Sequence, residues 1–593
     1  MNSIPLAPPQ RLLDSPAQLG ALNLRNRIFM AAMTTGLASP SGRPTPALLA
    51  WYEARSAGGT GAIIVEETLV LDDGRSRAMR PRRLCLASDA AIGGFQRLAS
   101  AITRGGATPL LQLSYPGVRD ITTTPAVQLD ALVGAFAGAV RRARAAGFVG
   151  VQLQAIPSRL LGQLLTPRLN RRRDRNGRDL KGRTRVVREV IAAARALCGA
   201  DFPVLVKFSA DESDPRGITP AMGGAIARAL EAAGATGFEV VGGSASVSPS
   251  EPLSSGVGEA TRAELAGAVR EAVRVPVLAS GRILSADGAE GLLRMGQANF
   301  VAVGRALLAD PAWPAKHRAG IEQEIAPCIS CMACFTPTPA PDRSIGCPVN
   351  GEAGLEHLPP LTPARNPRVI AVLGASLAGL ELARIAASRG HTVWIATSGV
   401  PLGGLLGLRA GVPGEAEFGR ALLYFGDRLR ELGVNVTDAA GREAEVVIDS
   451  RPHPELRASW VGQKGTLAAG ELLGRDLHEM YGIGRRVAVV GPGALAAEVA
   501  LFLGGWGRRA TVIVPGDEDA PFFDVHPTHA ARLWERLAGY NIPLVTGAQF
   551  TRWEYDDDHK SRLVGRRGGK REILEPFHSA VSAGGWERTT AWP

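Results

Sequence analysis

No stretch of the sequence offers the roughly 18 uninterrupted apolar residues of a membrane helix, so no membrane-spanning segment is expected. The first nine residues contain neither a basic region nor an apolar core; no secretory leader is read there, and the cytoplasm is the expected compartment. Cysteine is scarce, with six in 593 residues, and the isolated Cys85 and Cys198 fit a reducing compartment better than a disulfide framework. Aromatic residues make up only 5%, and none are interleaved with the basic residues as a stacking platform. The net charge of +11 therefore does not read as nucleic-acid binding, even with a basic run at Arg171, Arg172, Arg173 and Arg175. It reads as a solvated face or as a docking surface for an acidic redox protein. Disorder is excluded by a hydrophobic content of 45%, and the length predicts two or three domains.

What the chain does have is concentrated. Cys328, Cys331 and Cys334 stand three residues apart and Cys347 follows after twelve more, so four of the six cysteines fall within twenty residues. Three thiolates at three-residue steps and a fourth from a loop suit a four-iron, four-sulfur (4Fe-4S) cluster. Zinc is the rival reading, although structural zinc usually draws its cysteines as two separated pairs. A cluster implies electron transfer, and so a donor and an acceptor elsewhere in the chain.

Before the cysteines, short apolar runs alternate with Ala- and Arg-rich helical stretches, which is the rhythm of a TIM (β/α)8 barrel. The runs at 61–66, 109–113, 150–154, 203–208, 237–241, 276–279 and 300–303 are the expected strands, each followed by a polar or glycine-bearing loop. After a proline-rich connector, a strand, glycine turn and helix begin at Arg368, and the same unit begins again at Arg485. The expected α/β architecture is a barrel over 1–320, a cluster segment and linker over 321–366, and a Rossmann-like two-lobed nucleotide domain over 367–593.

Several stretches carry a family resemblance: Asn26 to Gly36, Trp51 to Gly59, Leu111 to Leu113, and Val303 to Arg305. They resemble the old yellow enzyme barrel, and the whole chain is similar to the 2,4-dienoyl-CoA reductase and trimethylamine dehydrogenase branch. The resemblance implies FMN in the barrel. It places Met33 and Thr34 beside the flavin, Gln112 at its pyrimidine edge, and Lys207 where negative charge gathers on reduction. Gly281, Arg282, Gly304 and Arg305 would hold the phosphate. No cysteine lies near Met33, so the covalent flavin link of the amine dehydrogenases is not expected.

The same comparison shows departures. Gln154, Pro157 and Arg159 occupy positions where relatives carry a histidine, a histidine or asparagine, and a proton-donating tyrosine. Tyr115 replaces a further histidine and is the candidate acid, with Gln154 as a carbonyl partner. Arg159 is read either as an anchor for a carboxylate-bearing substrate or as a solvated helix residue. In the nucleotide domain, Gly374 and Gly379 keep the outer positions of a glycine fingerprint, but Ser376 takes the place of close approach to a pyrophosphate. Thr397 stands where an acid would hold a ribose. Gly491 and Gly493 belong to a better-preserved second fingerprint.

The expected activity is hydride exchange between FMN and an unsaturated, carbonyl or amine substrate, with electrons relayed through the 4Fe-4S cluster and with FAD and NAD(P)H as further candidate cofactors. The alternative is a catalytically quiet electron-relay or scaffold subunit paired with an active homologue. Either reading allows a homo- or hetero-oligomer.

Overall fold

Nearly continuous burial of Val, Ile, Leu and Phe marks the barrel strands of the computed structural model. It describes residues 11–73, 82–242, 258–335, 344–397, 399–438, 443–451, 456–473, 480–515, 521–522, 524–525, 527–555, 561–567 and 570–584. Residues 336–343 of the expected cluster segment therefore lie outside the described residues. Of the described ones, residues 11–328 and 344–359 make one unit, and residues 329–335 and 360–584 make the other.

The first unit opens with an antiparallel hairpin, β1 (Ala17–Leu19) and β2 (Leu22–Leu24). The parallel strands that follow are β3 (Ile28–Met30), β4 (Ala62–Leu69), β5 (Leu84–Cys85), β6 (Thr108–Ser114), β7 (Val151–Ala155), β8 (Val204–Asp211), β9 (Gly237–Gly242), β10 (Val277–Ser280) and β11 (Phe300–Val303). Pairing of β3 with both β4 and β11 closes eight of them into a barrel, and β5 is added outside β4. All seven runs expected from sequence are strands. The eighth, β3, is only three residues long and gives no run to read.

Leu19 and Leu24 of the hairpin pack with Phe29, Ala62, Ile64, Leu110, Leu205, Leu278 and Phe300 to fill the barrel floor. Each Leu, Ile or Phe side chain so removed from water contributes roughly 1.5–3 kcal/mol. Two residues further along several of these strands the inward side chains become polar: Glu66 on β4, Gln112 on β6, and Lys207 on β8. The chemistry of the barrel therefore sits above an apolar floor.

Helix α1 (Pro46–Ala57) begins with Thr45 accepting the Leu48 amide and Pro46 in the first turn, a strong start signal. It buries Trp51, Tyr52 and Arg55 against the barrel wall.

The second unit holds a four-stranded parallel sheet of β12 (Val369–Leu373), β13 (Thr392–Ala396), β14 (Asn435–Thr437) and β15 (Val446–Asp449), in the order β14-β13-β12-β15. A five-stranded parallel sheet combines β16 (Thr466–Ala468), β17 (Arg486–Val490), β18 (Arg509–Val514) and β19 (Leu544–Thr546) with the last strand, Ser579–Ser582. Three antiparallel strands, β20 (Ala548–Tyr555), β21 (Ser561–Arg567) and β22 (Lys570–Phe577), complete it. Among the described residues, no helix is long and apolar enough to cross a membrane.

Candidate active site

Above the barrel floor, four side chains from consecutive strands are joined end to end. Gln112 Nε2 donates to Gln152 Oε1 at 2.7 Å, and Gln152 Nε2 donates to Glu239 Oε2 at 2.8 Å. Lys207 Nζ lies 2.6 Å from Glu239 Oε1. Sequence reading found Gln112 and Lys207 but passed over Gln152 and Glu239. Their signal was polarity at inward positions of otherwise apolar strands. Gln154, two residues beyond Gln152 on β7, is buried and its Oε1 has no hydrogen-bond partner among the described residues. An unfilled buried acceptor costs about 1–3 kcal/mol unless a ligand satisfies it.

The strand β4 carries two adjacent acids because a bulge sets Glu66 and Glu67 between the pairs Val65–Leu111 and Thr68–Leu113. Glu66 is buried and accepts from the Thr35 amide and from Thr35 Oγ1 (3.0 Å). Burial pushes its carboxyl up to about 8 despite those two donors. Glu67 faces Arg83 (3.0 Å) and is gripped by both ends of the Arg159 guanidinium, at 2.6 and 2.8 Å. Burial alone would raise Glu67, but Arg159 and Arg83 outweigh it and hold the carboxyl below its ordinary value.

Arg159 thus departs from both sequence readings. It is buried, not solvated, and a buried carboxylate of the protein itself has taken the fork that the anchor reading reserves for a substrate. The phenol of Tyr115, the expected acid, donates to Asp73 Oδ2 at 2.7 Å. Met33 is buried and Thr34 is exposed on the loop after β3, while the neighbouring Thr35 is the residue tied to Glu66.

The expected phosphate residues converge. A Cβ on Gly304 would come within 3.1 Å of Met33 Sδ, a tight contact that the methionine would have to relieve. Gly281 and Arg282 both have positive φ, and Arg282 and Arg305 are buried. A residue missed in the sequence joins them: Arg262, whose side chain lies beside Gly281. Burial, and after it the charge of Arg305, depresses the Arg262 guanidinium to about 10. No carboxylate pairs with Arg262 among the described residues, and like charges gathered in this way suit an anion.

Cys328 is buried and Cys331, Cys334 and Cys347 are partly so, and all four are outside disulfides. Cys328 and Cys347 belong to the first unit, and Cys331 and Cys334 to the second. Among the described residues, no group of three or more His, Cys, Asp or Glu side chains is arranged to hold a single metal ion. Ser330 and Met332, on either side of Cys331, have φ of 49° and 63°, a costly backbone for residues with a Cβ. Near Cys347, wholly buried Arg55 stacks on Trp51 at 3.1 Å and bonds Glu356 at 2.8 Å. Burial lowers its pKa, its Nε and Nη2 have no hydrogen-bond partner among the described residues, and the Cys347 thiol is within electrostatic reach. Those unfilled donors fit a sulfur-rich anionic centre.

In the second unit both glycine turns are capped by the chain itself. Ser376 Oγ accepts from the Gly379 amide at 3.3 Å and donates to the Ser450 carbonyl at 3.0 Å. Gly374, with φ of 98°, would meet the Arg451 backbone at 2.9 Å if it carried a Cβ. At the second turn a Cβ on Gly491 would collide with the Ala583 carbonyl, and Gly493 has φ of 77°. The Asp524 carboxylate lies over it and accepts the Ala494 amide at 2.9 Å. Thr397, standing where an acid was expected, donates to Asp438 at 2.9 Å, so a carboxylate does reach that place, from the end of β14.

A closed βα barrel with unfilled polar groups above its floor, followed by two parallel sheets with glycine turns, is the build of a flavin-dependent oxidoreductase. The description NADH:flavin oxidoreductase / NADH oxidase family matches residues 13–124 and 124–324, and pyridine nucleotide-disulphide oxidoreductase matches 486–568. The chain belongs to the NADH:flavin oxidoreductase / NADH oxidase family. It is 34% identical over 530 residues to a metal reductase of Desulforamulus reducens, covering 83% of this chain and 78% of that one. With an NADH oxidase of Thermoanaerobacter brockii it shares 29% over 581 residues, covering 91% and 88%. Its fold matches a solved complex of 2-naphthoyl-CoA reductase with a TM-score of 0.85 at 21% identity, over 97% of this chain and 92% of that one. The expected membership of the old yellow enzyme and dienoyl-CoA reductase group holds.

Proposed function

We propose that this oxidoreductase uses FMN in its barrel and a 4Fe-4S cluster on Cys328, Cys331, Cys334 and Cys347, and exchanges hydride with an unsaturated, carbonyl or amine substrate. The observation that carries the reading is the arrangement above the barrel floor, where Gln112 Oε1, Gln154 Oε1 and Arg262 leave hydrogen-bonding capacity and charge unclaimed by described residues, beside the Lys207–Glu239 ion pair. FMN supplies a centre that passes two electrons as hydride on one side and single electrons to a cluster on the other. Gln112 and Lys207 would orient and polarise its pyrimidine edge, and Arg262, Arg282 and Arg305 would hold its phosphate. Gln154 Oε1 offers an acceptor to a substrate N–H or O–H, and the Tyr115–Asp73 pair holds a proton.

The relatives named as metal reductase and NADH oxidase support electron delivery from a reduced nicotinamide to an external acceptor. FAD is the proposed second flavin, in the unit that contains both glycine turns. Anaerobic purification, chromatography of acid-released flavin and an iron assay test the proposal together. The expected result is about one FMN and about four iron atoms per chain. Zinc without iron, or protein that takes up no FMN on reconstitution, would overturn it.

A further inference from the structure

We propose that Glu239 is a positioning residue that sets both the hydrogen-bond polarity of Gln112 and the charge presented by Lys207. The inference rests on the FMN reading above. Glu239 lies on β9 between Phe238 and Val240 and is wholly buried, as is Gln152. Phe238 packs edge-on against Phe208 at 5.7 Å, while Glu239 shares its layer with Lys207, its register partner on β8.

The direction of the chain follows from donor and acceptor counting. A carboxylate offers acceptors only, so the amide of Gln152 must turn its NH2 group to Glu239. Its oxygen is then the end left for Gln112, and Gln112 must in turn present its own NH2 group to Gln152. Gln112 Oε1 is thereby held outward as an acceptor, with no hydrogen-bond partner among the described residues. One charge fixes two amide orientations that would otherwise each have two solutions. The other carboxylate oxygen meets Lys207 at 2.6 Å as an ion pair, and no hydrogen bond from Nζ to a described residue accompanies it. An outward acceptor beside an anchored ammonium complements the isoalloxazine pyrimidine ring, which carries an imide N–H next to electron-rich carbonyl groups.

Two consequences separate. Loss of the carboxylate removes the counter-charge of Lys207 and favours the reduced, more negative flavin. Loss of the Gln152 link frees Gln112 to turn and weakens flavin binding. Glu239→Gln, Gln152→Leu and the double variant are compared in the full-length protein, by the FMN dissociation constant and by the FMN reduction potential.

Glu239→Gln is expected to shift the potential positive and to weaken FMN about tenfold, as for loss of one hydrogen bond to a charged group. Gln152→Leu is expected to weaken FMN to a similar degree with a smaller change in potential. The double variant should bind FMN no more weakly than Gln152→Leu alone yet keep the positive shift. A merely structural role would leave the potential in place and make the binding losses add. FMN-loaded Glu239→Gln with an unchanged potential, or additive binding losses, overturns this inference alone. Wild-type protein that takes up no FMN overturns the flavin reading and this inference with it. If Glu239→Gln does not fold, Glu239→Asp keeps the charge but shortens the reach to Gln152. It should then weaken FMN with less change in potential, and unchanged binding overturns the inference.

Discussion

In the barrel, Gln112 Oε1, Gln154 Oε1 and Arg262 carry charge or hydrogen-bonding capacity that described residues do not take up. In the C-terminal unit, the helix starts after β12 and β17, where a dinucleotide phosphate would lie, are capped by Ser376 and Asp524. Unfilled buried polar groups are costly and persist where a ligand completes them, whereas self-capped helix starts are stable without one. The difference separates a region arranged around a ligand from one whose fold stands without it.

The largest effect bears on the ligand-dependent side. Cys347→Ser should strip the cluster, and an iron assay should fall from about four atoms per chain to near zero. Retained iron would show that Cys347 is not a ligand. Next is the barrel's own stability. Glu67→Gln leaves Arg83 and Arg159 buried without their shared carboxylate and should cost about 3–5 kcal/mol in urea unfolding. A loss below about 1 kcal/mol would mean the trio is solvated in solution.

Glu66 gives a pH-dependent test. Its folded pKa of about 8 lies above the ordinary 4.5, so the folded state holds a proton that the unfolded chain releases. Stability should therefore be full below about pH 4.5 and fall by up to about 1.4 kcal/mol per pH unit until about pH 8. Glu66→Gln should remove that slope in thermal melts across the range, and an unchanged slope would show that Glu66 is ionised throughout. The smallest effect concerns the C-terminal unit. Asp524→Ala should tighten NAD(P)H binding about fivefold by uncovering the Ala494 amide and removing a like charge. Weaker binding would make Asp524 part of the nucleotide site instead of its cap.

Much of the barrel was legible because its strands are apolar runs, and Gln112 and Lys207 were legible because the family resemblance points to them and each is a polar residue near the end of such a run. Glu239 interrupts one, but a lone acid between Phe238 and Val240 gives no hint of which way it points until the barrel closes. Arg262 was invisible for a different reason: an arginine at the start of a helix reads as a solvated residue, and only the fold brings it to Gly281 and Arg305. Arg159 misled in the same way, since its partner Glu67 lies 92 positions away. Asp524 caps a turn 30 residues earlier, a distance over which no local pattern speaks.

The bulge in β4 has a practical consequence for anyone reshaping this barrel. Two neighbouring carboxyls on one strand end up electrically unlike: Glu66 is a proton store that empties near pH 8, and Glu67 is a permanent anion locked between guanidinium groups. Deleting a single residue to make the ladder regular would turn one of them to the opposite face, and the protein would lose either its store or its lock.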